Sequence, residues 1–154
     1  MKKILALILA LCMAASLCAC GGSGSRKDID PEALAQALLD SGAFTDLLSR
    51  PADGVAARLY GYAEEDVASA ILYTGTGATA EEILILKAHD AAGADAVKTL
   101  CETRVSNQKL AFQNYAPDEV TKLDSAIIAV SGSTVIFVVP ADAAAAQAVV
   151  DSYT

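Results

Sequence analysis

Cysteine and histidine are the side chains of this sequence best suited to chemistry, and there are four of the first and one of the second. Cys20 follows the small residue Ala19, and its thiol is nucleophilic enough to form a thioether. His89 precedes Asp90 and could form half of a catalytic triad, but the chain has no Gly-x-Ser-x-Gly elbow. We therefore interpret His89 as a polar loop residue and predict no catalytic residue.

An N-terminal export signal accounts for the position of Cys20. Lys2 and Lys3 form a positive n-region, and residues 4–17 are apolar except for Ser16. This stretch is shorter than the roughly 20 apolar residues that span a bilayer. A glycine-serine run follows at residues 21–25. The pattern predicts a cleaved signal peptide over residues 1–19 rather than a transmembrane helix.

The residues Leu17-Cys18-Ala19-Cys20 resemble the lipobox of bacterial lipoproteins. The resemblance implies a diacylglyceryl lipid on the Cys20 thiol, cleavage between Ala19 and Cys20, and anchoring to the extracytoplasmic face of the cell membrane. Cys18 is a rival acceptor, but Ser16-Leu17 before it fits the pattern less well. An ordinary secretory signal with incidental cysteines is the alternative. Beyond this covalent lipid, we predict no cofactor and no metal.

Cleavage would make the remaining chain strongly acidic. Loss of Lys2 and Lys3 leaves 9 of the 11 basic residues against 19 acidic ones, a formal net charge of −10. An anionic membrane surface repels such a domain, so the lipid and not charge would hold it there. The same charge, with no basic patch, argues against a nucleic-acid partner.

Cleavage would also leave Cys101 as the single free thiol, because Cys12 and Cys18 leave with the signal and Cys20 carries the lipid. No intrachain disulfide is then possible. Cys101 has helical spacing with Val97 and Val105 on an apolar stripe. This spacing predicts a buried small hydrophobic side chain rather than a reactive thiol.

For three other motifs we favour a structural interpretation over a functional one. Gly75-Thr76-Gly77 lacks the lysine of a phosphate-binding loop and predicts a hairpin turn. The acidic runs at residues 64–66, 81–82 and 118–119 lack the spacing of a calcium loop and indicate element starts and solvated faces. Four tyrosines could form an aromatic platform for carbohydrate, although the chain has no tryptophan. They are Tyr60, Tyr62, Tyr73 and Tyr115.

The predicted secondary structure is a strand-strand-helix unit that occurs twice, preceded by one or two helices. Asp30-Pro31-Glu32 is typical of a helix start, and Pro117 ends the long helix. A capping box at Thr79–Glu82 keeps a helix open as an alternative for residues 80–89. The predicted helices cover residues 31–39, 55–60, 94–115 and 143–152, and the predicted strands cover residues 67–74, 82–88, 126–130 and 134–139.

The closing hairpin is the clearest of these elements. β-Branched residues flank the turn Ser131-Gly132-Ser133. The element order predicts an α+β fold: a four-stranded, mainly antiparallel sheet with two helices packed on one face. We divide the chain into the signal peptide 1–19, the lipidated cysteine and flexible tether 20–28, and a single α+β domain 29–154.

Several segments resemble a domain of unknown function that occurs in lipoproteins of Gram-positive gut anaerobes. The resemblance would cover Pro31 to Tyr153, and it implies a lipid anchor and an extracytoplasmic α+β domain with no known activity. No catalytic residues can be carried over from it. The segments are Leu59-Tyr60-Gly61-Tyr62, Glu65-Asp66-Val67, Gly77–Ile83, Phe112–Glu119 and the closing hairpin.

The sequence is compatible with two classes of function. The first is a non-catalytic binding or accessory module, held at the membrane by its lipid and facing an unidentified envelope component or protein partner. The second is a small envelope-acting hydrolase whose site is assembled from separate loops and leaves no linear motif. The absence of a catalytic motif favours the first.

Overall fold

The computed structural model describes residues 28–154. The predicted signal peptide, its cleavage site at Ala19, the lipid attachment site at Cys20 and the tether as far as Lys27 lie outside these residues. Within residues 28–154, no helix combines the length and the apolar character needed to cross a bilayer.

Two helices precede the sheet. Helix α1, Pro31–Asp40, begins as predicted: the Asp30 side chain accepts hydrogen bonds from the backbone N–H groups of Glu32 and Ala33, and proline occupies the first helical turn. Helix α2, Val55–Tyr60, is a single short segment between two glycines with positive φ. A 3-10 turn, Glu64–Asp66, then leads into the sheet.

The sheet has four strands in the order β1-β2-β4-β3, and all neighbours are antiparallel. Residues 82–88 form a strand, so the prediction made for them is confirmed over the helical alternative. The closing hairpin is confirmed as well, and its second strand lies in the interior of the sheet while its first strand is at an edge. The strands are β1 Val67–Thr74, β2 Glu82–Ala88, β3 Ile127–Ser131 and β4 Thr134–Val139.

Helix α3 covers Ala91–Phe112 and therefore begins three residues earlier than predicted. The cause is Asp90, whose carboxylate accepts a hydrogen bond from the Gly93 N–H at 2.8 Å and caps the helix. Helix α4, Pro117–Asp124, was not predicted. The sequence features that indicate its start are a proline at the first helical position and two acidic residues in the first turn. Helix α5 covers Ala143–Tyr153.

The predicted α+β class and four-stranded antiparallel sheet are confirmed, and the structure corrects the placement of the helices. Helices α1 and α5 pack on one face of the sheet, and α2, α3 and α4 pack on the other. The physical reason lies in the central strands. All six residues of β4, and all but Lys87 of β2, are buried. Such strands need cover on both faces.

Candidate functional site

A cleft of about 400 Å³ lies where the C-terminal half of α3 faces the β1–β2 turn. Helix α2 contributes Leu59 to its rim. The cleft brings buried charged residues next to exposed apolar ones, and small-molecule sites likewise combine apolar surface with a few placed polar groups. We refer to it below as the α3 cleft.

Glu82 and Arg104 form the floor of the α3 cleft. Glu82 is the first residue of β2 and is 2% exposed. Arg104 Nε donates to Glu82 Oε1 at 2.6 Å, and Arg104 Nη2 donates to Glu82 Oε2. This two-pronged pairing orients both side chains and compensates their charges in a buried setting.

Tyr60 completes the floor from the end of α2. Its hydroxyl donates to Glu82 Oε1, and its ring lies 5.1 Å from the Arg104 guanidinium carbon. Burial, and then the neighbouring Glu82 carboxylate, raise the pKa of Tyr60 well above its ordinary value. Tyr60 is therefore a neutral phenol that donates a hydrogen bond, and it is not a proton-transfer group at neutral pH.

Glu81 is a second buried acid beside the first. It is 1% exposed, and its carboxylate accepts from the backbone N–H groups of Thr45 at 2.8 Å and Asp46 at 3.0 Å. Lys122 of α4 lies 2.7 Å from its Oε1. Burial raises the pKa of Glu81, but the hydrogen bonds from Asp46, Lys122 and Thr45 outweigh it, so the net pKa is lowered. Glu81 is therefore an ionised hydrogen-bond acceptor that holds neighbouring groups in place, and it is not a general acid.

Asp46 holds the β1–β2 turn, which is one wall of the cleft. Its carboxylate accepts from Thr79 Oγ1 at 2.7 Å and from the Thr76 N–H at 3.2 Å. The Thr79 hydrogen bond is the main cause of the lowered pKa of Asp46. A Cβ at Gly75 would lie 2.3 Å from Asp46 Oδ2, so a larger residue there would force the Asp46 side chain to shift. The sequence Gly75-Thr76-Gly77 connects two hairpin strands, as predicted.

The opposite wall is a stripe along α3. Gln108 lies one turn beyond Arg104, and its Oε1 atom is buried without a hydrogen-bond partner among the described residues. Tyr115 follows the helix and is 65% exposed at the rim, with its ring centroid 5.3 Å from that of Phe112. An unpaired buried carbonyl oxygen is costly unless a ligand or water supplies a donor.

The sequence pattern did not single out Arg104, Gln108 or Lys122 as site residues, and Lys122 lies in helix α4, which was itself not predicted. A signal for two of them was present. Arg104 and Gln108 stand three and seven residues after Cys101, which puts them on the same side of α3 as a core position. Polar residues at such positions need a partner inside the fold.

The structure does not place His89 in a catalytic arrangement. His89 is exposed, and its Nε2 lies 3.1 Å from the Glu65 carbonyl oxygen. Asp90 caps α3 instead of contacting the imidazole. The cleft of about 570 Å³ beside His89 has no serine, threonine or cysteine among its lining residues. This surrounding agrees with the interpretation of His89 as a polar loop residue.

The acidic pairs have structural partners. Glu81 and Glu82 are buried, which corrects their predicted position on a solvated face. Glu119 is also buried, and its carboxylate accepts from the Ala80 N–H at 2.8 Å. Their assignment to element starts is confirmed for β2 and α4. In the part of the chain that the structure describes, no group of three or more histidine, cysteine or acidic residues could hold a metal ion.

The four tyrosines do not share one surface. Tyr60 is buried under the α3 cleft, while Tyr73 packs against the core on the opposite face of the sheet. Tyr62 is partly buried. Tyr115 alone among these four presents an exposed ring.

A family model for a domain of unknown function, DUF4358, matches residues 46–140. The matched range includes the whole sheet and every residue of the α3 cleft named above. No curated protein and no solved structure matches the chain.

Proposed function

We propose that this chain, which belongs to the DUF4358 family of domains of unknown function, is a lipid-anchored extracytoplasmic module that binds a ligand in the α3 cleft without transforming it. The observation that carries the proposal is the composition of that cleft. Its buried carboxylates already have hydrogen-bond donors within the protein, and among the described residues the cleft leaves a buried amide oxygen without a donor and an aromatic ring exposed. Such a site can hold a ligand, but it offers no activated nucleophile.

The fixed geometry of the cleft supports binding. Arg104 is oriented by two hydrogen bonds to Glu82, and the β1–β2 turn is held by Asp46. Side chains that are positioned before a ligand arrives lose little conformational entropy on binding. The hydrogen bonds therefore prepare the walls of the cleft for a ligand.

Support for the anchor comes from the sequence alone. The apolar stretch, Ala19, Cys20 and the glycine-serine run are in the order that a lipid-modified N-terminus requires. A lipid at Cys20 would hold the acidic domain near the membrane, and the residues between Cys20 and α1 would separate the cleft from the surface.

The anchor is tested by metabolic labelling with radioactive palmitate. The native chain is expected to incorporate label, and Cys20→Ala is expected to lose it. Cys18→Ala is the matched control, because it removes the neighbouring thiol and should keep the label. Retention of label in Cys20→Ala would show that the attachment site is wrong.

The binding role is tested by photo-crosslinking in intact cells. A photoreactive amino acid at Ala111, which is exposed and lines the cleft, is expected to give a discrete adduct. The matched control is Ala148, which is equally an exposed helical alanine but lies on α5. The absence of an adduct at Ala111, or the same adducts from both positions, would contradict binding through the α3 cleft.

A further inference from the structure

We infer that the ligand of the α3 cleft is a neutral saccharide. This inference rests on the proposed binding role and names the ligand class. It follows from three properties of the cleft: the existing partners of its buried charges, the kind of hydrogen-bonding groups left free, and the exposed ring at its rim.

The buried carboxylates of the cleft already have cationic partners. Arg104 pairs with Glu82, and Lys122 is shared between Glu81 at 2.7 Å and Glu119 at 2.9 Å. An anionic or cationic ligand group would have to separate one of these buried pairs, which leaves a charge uncompensated. The acidic domain as a whole also repels polyanions. These charges favour an uncharged ligand.

The free hydrogen-bonding groups suit hydroxyl groups. Gln108 Oε1 is a buried acceptor that lacks a donor among the described residues. The hydrogen bonds of Arg104 run through Nε and Nη2, so Nη1 keeps its donors for a ligand. Gln108 and Arg104 lie one helical turn apart, and a sugar hydroxyl can both donate to an acceptor and accept from a donor. A ligand hydroxyl would remove the cost of the unpaired Gln108 oxygen.

The rim provides a stacking surface. Tyr115 is 65% exposed, and Phe112 supports its ring at a centroid distance of 5.3 Å and an interplanar angle of 34°. Leu59, which is 42% exposed, extends the apolar surface on the α2 side. The C–H face of a sugar ring can pack against such a surface while its hydroxyls point to the polar floor. A peptide ligand is disfavoured because the floor of the cleft carries charged residues and offers no apolar pocket for peptide side chains.

Saturation-transfer NMR and calorimetry with the full chain test the inference. The chain is held in a zwitterionic detergent that carries no sugar, and the probes are short oligosaccharides of glucose, mannose, galactose or N-acetylglucosamine. At least one of them is expected to bind, with its ring C–H protons receiving saturation. Sulfated counterparts and mixed-sequence peptides serve as comparison probes, and both are expected to bind more weakly.

Three variants connect binding to the cleft. Tyr115→Ala and Gln108→Leu are each expected to weaken the affinity for the bound oligosaccharide at least tenfold. Gln108→Asn, which keeps an uncharged amide acceptor at this position, is expected to retain more of the affinity than Gln108→Leu. Leu110→Ala is the matched control, because Leu110 is an exposed apolar residue of α3 that does not line the cleft. Thermal melts of each variant establish that it is folded.

Each outcome decides the inference. Absence of binding to every neutral oligosaccharide, tighter binding of the sulfated probes or peptides, or equal affinities in all variants would overturn it. The photo-crosslink from Ala111 separates this failure from failure of the binding role. A cleft adduct without saccharide binding would refute the ligand class and leave the binding module standing.

Discussion

Buried ionised residues in this domain serve as positioning groups. Glu82 holds the Arg104 guanidinium at the floor of the α3 cleft, and Glu81 joins the backbone of Thr45 to the Lys122 ammonium. The hydrogen bonds that Glu81 accepts lower the pKa of its carboxyl group, so Glu81 is poorly suited to proton transfer at neutral pH. The same residues that look like candidate acids in the sequence therefore hold the walls of a cleft in place.

Cys101 is the residue whose chemical behaviour the structure defines most sharply. Its side chain is fully buried, and burial raises the pKa of its thiol to about 12. Because the thiolate is the reactive form, we expect Cys101 to resist iodoacetamide at pH 8 in the folded chain and to react readily in urea. Mass spectrometry of the tryptic peptide that spans residues 99–104 measures this. Equal rates in the folded and unfolded chains would show that Cys101 is accessible.

Helix α4 is the element that ties the chain after α3 to the start of β2. Its Glu119 accepts from the Ala80 N–H at 2.8 Å, and its Lys122 lies 2.7 Å from Glu81 and 2.9 Å from Glu119. Leu123 is buried in the core on the α3 face of the sheet. The helix is short, so these tertiary contacts rather than helix propensity must hold it in place.

Acid stability is expected to depend on Lys122. The pKa of Glu81 lies below its ordinary value of 4.5, because its hydrogen bonds outweigh burial. A lowered pKa in the folded state contributes stability above pH 4.5, and this contribution is lost as pH falls through the folded pKa. Lys122→Met removes one of those hydrogen bonds and should raise the pKa of Glu81, so acid unfolding should begin at a higher pH.

Circular dichroism during acid titration measures this midpoint, and urea unfolding at pH 7 should show a loss of about 2 kcal/mol for Lys122→Met. The control is Lys98→Met. Lys98 lies 3.9 Å from Glu102 in an exposed pair, which contributes little. An unchanged acid midpoint in Lys122→Met would contradict the role given to this lysine.

At the scale of the whole molecule, two apolar cores share one sheet. Residues of β4 alternate between them: Ile136 belongs to the core under α1 and α5, and Phe137 to the core under α3. Because both cores use the same strands, neither can be lost while the other stays packed. The site and the opposite face are thereby parts of one cooperative unit.

Core truncations on the two faces should consequently have the same global effect. We expect Ile136→Ala to cost about 2–5 kcal/mol and Phe137→Ala about 3–5 kcal/mol, each with an unchanged denaturant slope. Hydrogen exchange should then show faster opening of both α3 and α5 in either variant. Val130→Ala, at an exposed position of β3, is the control and should change stability little. Loss of protection on one face alone would refute the shared unit.

The sequence by itself determined the features that depend on neighbouring residues. The start of α1, the closing hairpin, strand β1 and the α+β class follow from capping residues, turns and β-branched runs, which act over a few positions. Strand β2 does not, because the local pattern of residues 80–89 also allowed a helix. The signal peptide and the lipid on Cys20 are patterns of the same local kind, and they stay predictions.

The tertiary structure alone decided the strand order, the division of the helices between two faces, and the α3 cleft. The pairs that build the cleft are distant in the chain: Glu82 and Arg104 are 22 residues apart, and Glu81 and Lys122 are 41. In the sequence, each of these residues resembles an ordinary charge on a solvated face. It becomes a buried partner only when folding removes both members of a pair from water, and no local pattern records that event.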